Sequence, residues 1–286
     1  MFVLRGLLTA AARLYGAEES FYLVNGSTCG ILSAVSSALP RGGHILMARN
    51  CHRSAYHAAY LRGLSVTYLY PAYLGEYDIY DAIEPEQVQQ ALEREPDIGA
   101  VLIVSPTYEG RISDIRAIAE VVHEKGIPLI VDEAHGAHLG LWEGFAKNSC
   151  QLGADLVIHS VHKTLPALTQ SALLHVNGEL IHRKLVQRFL RIYQSSSPSY
   201  LLMAGIDNAL QHAKQAQGIR FRERYGEMLG ELAACRHFRF LSDIEGRQDI
   251  GKLLISVKQT GLTGKELYDI LLGKYHLQPE MASIGF

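Results

Sequence analysis

Apolar positions along this chain alternate between two patterns. Leu4, Leu7, Leu8, Ala11, Ala12 and Tyr15 recur at three- and four-residue spacing, which predicts a helix starting almost at Met1. Short continuous apolar runs then predict strands at Phe21–Val24, His44–Ala48, Val66–Tyr70, Gly99–Val104, Pro128–Val131, Leu156–Ile158 and Ser171–Val176. Between them, helical periodicity marks Ile31–Leu39, Glu86–Arg94, Ile115–Lys125 and Leu180–Tyr193. Near-continuous runs such as Ala100-Val101-Leu102-Ile103-Val104 suit parallel strands buried on both faces. The alternation predicts an α/β fold built on a mostly parallel, doubly wound sheet, whose ligand sites lie beyond the carboxyl ends of the strands. Past residue 200 the pattern thins. Leu201–Gln217 reads as a linking helix, followed by one strand at Lys252–Val257 and one helix at Gly264–Tyr275. The expected division is a major domain over residues 1–200 and an incomplete small α+β domain over 201–286.

The loops after the strands carry the chemistry. Ala154-Asp155-Leu156-Val157-Ile158 delivers Ser160-Val161-His162-Lys163-Thr164 and stops at Pro166. A lysine just past a buried strand is a candidate for a lowered pKa, the condition for adding to a carbonyl as a Schiff base, although most lysines are solvated. Pro128–Val131 runs into Asp132-Glu133-Ala134-His135-Gly136-Ala137-His138, which sets a carboxylate where desolvation is costly without a partner. The same Asp-x-x-His-x-x-His spacing also admits a metal site. Asn25-Gly26-Ser27-Thr28, between a strand and a helix, offers backbone N–H groups and hydroxyls to a phosphate, or simply caps the helix. His52, in Arg49-Asn50-Cys51-His52-Arg53-Ser54, is a ligand, an acid or base, a flat ring for a cofactor, or an ordinary surface histidine.

Lysine plus aspartate at two strand ends is the pairing that pyridoxal phosphate chemistry requires: one holds the aldehyde, the other keeps the pyridine nitrogen protonated. Gly26, Ser27, Thr28 and Ser160 can supply the phosphate cradle, and His52 the flat neighbour of the ring. Composition narrows the rest. A net charge of −2 and no long apolar run exclude an obvious nucleic-acid or membrane partner, and Arg220, Arg222 and Arg224 read as a helix surface. Cys29, Cys51, Cys150 and Cys235 form no Cys-x-x-Cys pair, which argues for reduced thiols in the cytoplasm. The N-terminus lacks the apolar core and cleavage site of a signal peptide.

Five motifs make the likeness specific: Asn25-Gly26-Ser27-Thr28-x-Gly30, Arg49-Asn50-x-His52-x-Ser54, Ser105-Pro106-Thr107-Tyr108-x-Gly110, Asp132-Glu133-Ala134-His135-Gly136 and Ser160-x-His162-Lys163-Thr164. Their set and order resemble the Orn/Lys/Arg decarboxylase family of fold-type I pyridoxal phosphate enzymes, over nearly the whole chain to Leu277-x-Pro279-Glu280. The resemblance implies that Lys163 is the Schiff-base lysine and Asp132 the partner of the pyridine nitrogen. Ser27, Thr28, Ser160 and His162 hold the phosphate, with Gly26 in the same turn. His52 stacks on the ring and counts with Lys163 as catalytic, Ala134 and His135 lie against the ring region, and Thr107 belongs to the cofactor loop. The implied reaction is decarboxylation of arginine, lysine or ornithine to an amine for polyamine biosynthesis, in a homodimer or higher homo-oligomer whose site a second subunit completes. Glu109 and acidic residues of the small domain could meet the substrate's distal cation or simply face water. A Pro-Gly-His segment that precedes this region in family members is absent, and the small domain looks cut short after Glu280, so the resemblance implies truncation at both ends. Two other readings stay open: another fold-type I reaction such as transamination or aldol cleavage, and a non-catalytic paralogue that keeps the fold.

Overall fold

The structure, a computed structural model, describes residues 2–216, 218–241 and 246–283. In chain order the elements are α1 (Phe2–Tyr15), β1 (Glu19–Leu23), α2 (Gly26–Ala38), β2 (His44–Ala48), α3 (Arg53–Arg62), β3 (Ser65–Leu69), β4 (Tyr73–Leu74), β5 (Ile79–Tyr80), α4 (Pro85–Arg94), β6 (Ala100–Val104), α5 (Ile115–Glu124) and β7 (Leu129–Asp132). They continue as β8 (Leu156–His159), α6 (Val161–Thr164), β9 (Ala172–Val176), α7 (Arg183–Tyr193), α8 (Tyr200–Gln215), α9 (Gly218–Leu232), β10 (Arg239–Leu241), β11 (Leu254–Ser256) and α10 (Gly264–Tyr275).

Seven strands form one sheet in the order β1-β9-β8-β7-β6-β2-β3. The ladders β8–β7–β6–β2–β3 are parallel, and β9 alone runs against its neighbours. Because β9 is antiparallel to both β1 and β8, β1 points the same way as β8. The carboxyl ends of β1, β2, β6, β7 and β8 therefore share one edge, and all five polar loops leave from it. Strand interiors are almost wholly apolar and buried, because both faces are covered. On β1 and β9, side chains alternate between the faces. Leu23 and Leu174 join the large core under α2, whereas Tyr22 and Leu173 pack with Ala11 and Tyr15 of α1 and with Ile206, Ala209, Leu210 and Ala213 of α8. The helix expected to link two domains thus serves as a layer over the sheet, held there by its apolar stripe; Gln217, at its expected end, lies outside the described residues.

Beyond α8 the elements are smaller. Arg220, Arg222 and Arg224 are exposed on α9, as the reading of a helix surface expected. The β10–β11 ribbon stands apart from the main sheet. A bridge between Arg111 and Gln248 ties the segment between β10 and β11 to the loop after β6.

The face under α1 carries a polar chain in a dry interior. Ser149 donates to Glu133 Oε1 through its hydroxyl at 2.7 Å and its N–H at 3.1 Å. Glu133 Oε2 lies 2.6 Å from His159 Nε2, His159 Nδ1 lies 3.1 Å from His175 Nε2, and His175 Nδ1 lies 2.6 Å from the Ser20 hydroxyl. Tyr15 lays its ring against both histidines and donates to the Ala137 carbonyl at 2.7 Å. Burial pushes Glu133 up to about 8 and His159 down to about 3. Both shifts favour uncharged groups, so the chain is a neutral hydrogen-bond network that stitches β1, β9, β8 and the end of β7 together. Glu133→Ala leaves His159 Nε2 and Ser149 without a partner and is expected to cost about 3 kcal/mol in urea unfolding at pH 7; Glu133→Gln, which keeps an acceptor and a donor, is expected to cost less than half of that.

Candidate active site

The site grows from two adjacent strand ends. β7 and β8 pair in parallel with Asp132 opposite Ile158, so the Asp132 and Ser160–Thr164 loops emerge side by side. Asp132 is buried, and its Oδ1 accepts the Ala134 N–H at 3.2 Å. Burial raises its carboxyl from an ordinary 3.8 to about 6, with the Ala134 N–H and the Lys163 charge pulling the other way. Lys163 does not sit in an open loop but in the single turn of α6, beginning at Ser160 and closed before Pro166. Its Nζ lies 2.9 Å from His135 Nε2. Burial lowers the Lys163 pKa while the Asp132 charge supports the protonated form. Burial, with the Lys163 charge added, holds His135 down to about 4, so the ring is neutral and accepts from the ammonium.

Around this pair the other loops close in. His52 caps α3: its Nδ1 accepts the Ser54 N–H at 3.3 Å and lies 2.8 Å from the Ser54 hydroxyl. Burial first, then Lys163, lowers its pKa, so this ring too is neutral. Lys163, His52 and His135 line one cavity of about 840 Å³, together with Tyr108, His138, Trp142, Phe145, Thr164, Phe221, Asp249, Lys252 and Glu280. His162 donates its Nδ1–H to the Ser171 carbonyl at 2.9 Å, which leaves Nε2 for another partner.

The Gly26 turn lies where β1 ends, opposite the start of β9. Gly26 takes φ +76, with open space where a Cβ would stand, and its N–H reaches the Gln170 carbonyl at 3.0 Å. Asn25 makes no side-chain cap on α2; its Oδ1 accepts instead from Ser195 N–H at 3.1 Å. The first N–H groups of α2 are thus left without a side-chain acceptor, and Ser27 and Thr28 stand accessible beside them. Ser160 Oγ, Thr164 Oγ1 and Ser171 Oγ are buried with no hydrogen-bond partner among the described residues. Unused buried hydroxyls near an uncapped helix N-terminus are the donor set a phosphate monoester takes, and a cavity-lining lysine with a lowered pKa on the strand end beside a buried aspartate suits the aldehyde and the pyridine nitrogen. The residues present fit pyridoxal phosphate.

Thr107 is turned inward. Its hydroxyl accepts the Arg111 N–H at 3.2 Å and its N–H donates to the Arg111 carbonyl, so it closes its own loop next to the cis Ser105–Pro106 bond. The Asp-x-x-His-x-x-His run splits between different partners: His135 goes to Lys163, whereas His138 Nε2 meets Asp249 Oδ1 at 2.9 Å. Trp142, Phe145, Phe221 and Asp249 are the wall residues that pattern reading missed. Asp249 stands in a stretch without periodicity, and the aromatics look like ordinary core residues in sequence.

Asp132 sets a cost that can be measured. Below pH 3.8 its carboxyl is protonated both folded and unfolded, and burial costs nothing through it. As pH rises through about 6 the unfolded chain ionises first, and the penalty grows to roughly 3 kcal/mol. Asp132→Asn is therefore expected to stabilise the cofactor-free protein by up to about 3 kcal/mol at pH 8 and by about half of that at pH 5, read from urea unfolding at the two pH values.

Comparison with known proteins agrees with this geometry. The family model for Orn/Lys/Arg decarboxylase, major domain, matches residues 8–277. The chain is 41% identical over 248 residues to YaaO, an uncharacterized protein of Bacillus subtilis (strain 168), covering 86% of this chain and 51% of that protein. It is 31% identical over 289 residues to an arginine decarboxylase of Halalkalibacterium halodurans, covering 96% of this chain and 58% of that protein. The chain thus spans little more than half the length of these curated relatives. Lysine decarboxylase A from Pseudomonas aeruginosa superposes with a TM-score of 0.82 at 20% identity, over 99% of this chain and 47% of that one. Fold-type I aminotransferase and serine palmitoyltransferase structures share the architecture more distantly, with TM-scores of 0.73 and 0.70. With the five loops in family order on one sheet edge and the model matched from residue 8 to residue 277, this chain belongs to the Orn/Lys/Arg decarboxylase family, whose cofactor is pyridoxal phosphate.

Proposed function

We propose that this protein decarboxylates a basic amino acid (arginine, lysine or ornithine) to the corresponding amine. The observation that carries the reading is Lys163 itself, 2.9 Å from His135, on the strand end adjacent to buried Asp132 and lining a cavity large enough for cofactor and substrate. Relatives named arginine decarboxylase and lysine decarboxylase support the substrate class.

When bound, pyridoxal phosphate supplies a ring that accepts the electron pair released as the Cα–carboxylate bond breaks. The chain's own residues prepare for this. Lys163, its pKa lowered by burial, offers a neutral amine to a carbonyl carbon at modest cost. Asp132 would keep a proton on the pyridine nitrogen, whose positive charge would offset the desolvation its carboxylate otherwise suffers. Ser27, Thr28, Ser160 and His162 would hold the phosphate, with Gly26 giving the turn its positive φ. His52 would offer a neutral flat ring to stack on the cofactor, and Ala134 and His135 would lie against the ring region. Thr107 serves this assembly by shaping its loop.

We infer further that the amine product feeds polyamine biosynthesis and that the chain works in the cytoplasm as a homodimer. The free cysteines, three of them buried, suit a reducing compartment. Among the described residues no helix is long and apolar enough to cross a membrane. Exposed Tyr200, Leu201 and Tyr60 offer apolar surface for a second copy.

Absorption spectra with added pyridoxal phosphate test the reading. A visible band that borohydride fixes onto Lys163, with CO2 released from at least one of the three amino acids, is the expected result. Lys163→Ala is expected to lose the fixed band and to lower turnover by at least about a thousandfold. Turnover preserved in that variant, or a keto acid as product in place of CO2, would overturn it.

A further inference from the structure

The cavity carries a feature that the lysine–aspartate pairing leaves unexplained. Asp249 is 2% exposed, yet only one of its carboxylate oxygens is in use. Oδ1 accepts from the Gly251 N–H at 2.8 Å and meets His138 Nε2 at 2.9 Å. Oδ2 is buried with no partner among the described residues. A buried carboxylate with an idle oxygen is costly and is retained where something else completes it.

Its surroundings say what that partner is. Gly251, on the cavity wall, stands over the carboxylate: a Cβ there would come within 3.1 Å of Oδ1 and 3.5 Å of Oδ2. The missing side chain leaves the approach from the cavity open. Beside it stand Trp142, Phe145 and Phe221, with ring centroids 5.3 Å apart in the first pair and 5.7 Å in the second. Trp142 spends its N–H on the Ala213 carbonyl at 2.8 Å, so its ring faces serve as apolar wall. A carboxylate flanked by aromatic faces selects an organic cation. The other charges nearby are committed: Lys252 is ion-paired with Glu280 and lies over the Tyr108 ring.

Resting on the decarboxylase reading above, we propose that Asp249 receives the distal ammonium or guanidinium of the substrate, against the Trp142–Phe145–Phe221 wall. It is the specificity-determining residue, at the opposite functional end of the substrate from Lys163. This assigns the role to Asp249 rather than to Glu280, which already has a cation.

Calorimetric titration of the pyridoxal-phosphate-loaded protein with agmatine, cadaverine and putrescine, against pentylamine and butylamine that lack the second cation, tests this. The wild type is expected to bind at least one of the three dications about tenfold or more tighter than the monoamines. Asp249→Asn is expected to erase that preference while monoamine affinity and the visible cofactor band stay unchanged. Gly251→Val, which keeps the carboxylate and blocks its approach, is expected to weaken the preferred dication by a similar factor. A wild type with no dication preference, an Asp249→Asn variant that keeps it, or loss of the cofactor band in that variant overturns the proposal. CO2 release measured in parallel separates the two readings: dication preference without decarboxylation leaves Asp249 standing and removes the decarboxylase assignment, and decarboxylation without the preference does the reverse.

Discussion

Asp132 and Lys163 stand on the same edge of the sheet because β7 and β8 are hydrogen-bonded neighbours running in the same direction. Parallel pairing at a spacing of about 4.8 Å puts the residues that follow the two strands side by side, with little chain freedom between them. Every other part of the site depends on this constraint. β6 and β2 extend the same parallel ladder and bring in the Tyr108 and His52 loops, and β1, reversed twice through β9, brings the Gly26 turn to the same edge. A sheet with one of these strands inverted would carry the same side chains on opposite ends of the molecule.

That edge is held in shape from behind. The neutral chain Ser149–Glu133–His159–His175–Ser20 crosses four strands on the face under α1, and two of its members adjoin residues of the site: Glu133 follows Asp132, and His159 precedes Ser160. In a dry interior such a network tolerates one arrangement, because a shifted strand would leave several polar groups unpaired at once. The apolar core sets how tightly the layers pack; this network sets where the strand ends lie.

The site itself runs against stability. Asp132 is desolvated, Lys163 is partly desolvated, three hydroxyls and one oxygen of Asp249 are unpaired, and α2 begins without a side-chain cap. Lys163, Thr164 and Asp249 line one cavity, while Tyr22, Ser33, Asn50 and Arg62 carry buried unpaired atoms outside it.

Much of this was legible in the residues themselves. Continuous apolar runs located all seven strands of the main sheet to within a residue or two, because strands buried on both faces are mostly apolar along their length. Ser27, Thr28, Asp132, Ser160 and Lys163 could be singled out because they stand in loops directly after strands, where a doubly wound sheet gathers its ligand sites, and His162 only through the family resemblance. Helix α3 escaped because its alanine-rich stretch has no clear apolar stripe, and of α9 only the Arg220–Arg224 surface was read, because its Arg/Glu residues obscure an apolar stripe. Only the tertiary structure decided that β9 runs antiparallel, that α8 covers the sheet instead of linking two bodies, that Thr107 turns into its own loop, and that His138 meets Asp249 from 111 residues away. Local patterns report what a segment buries and what chemistry it carries. Which distant side chain completes a buried charge is settled by the packing of layers, and a single strand or helix contains no trace of it.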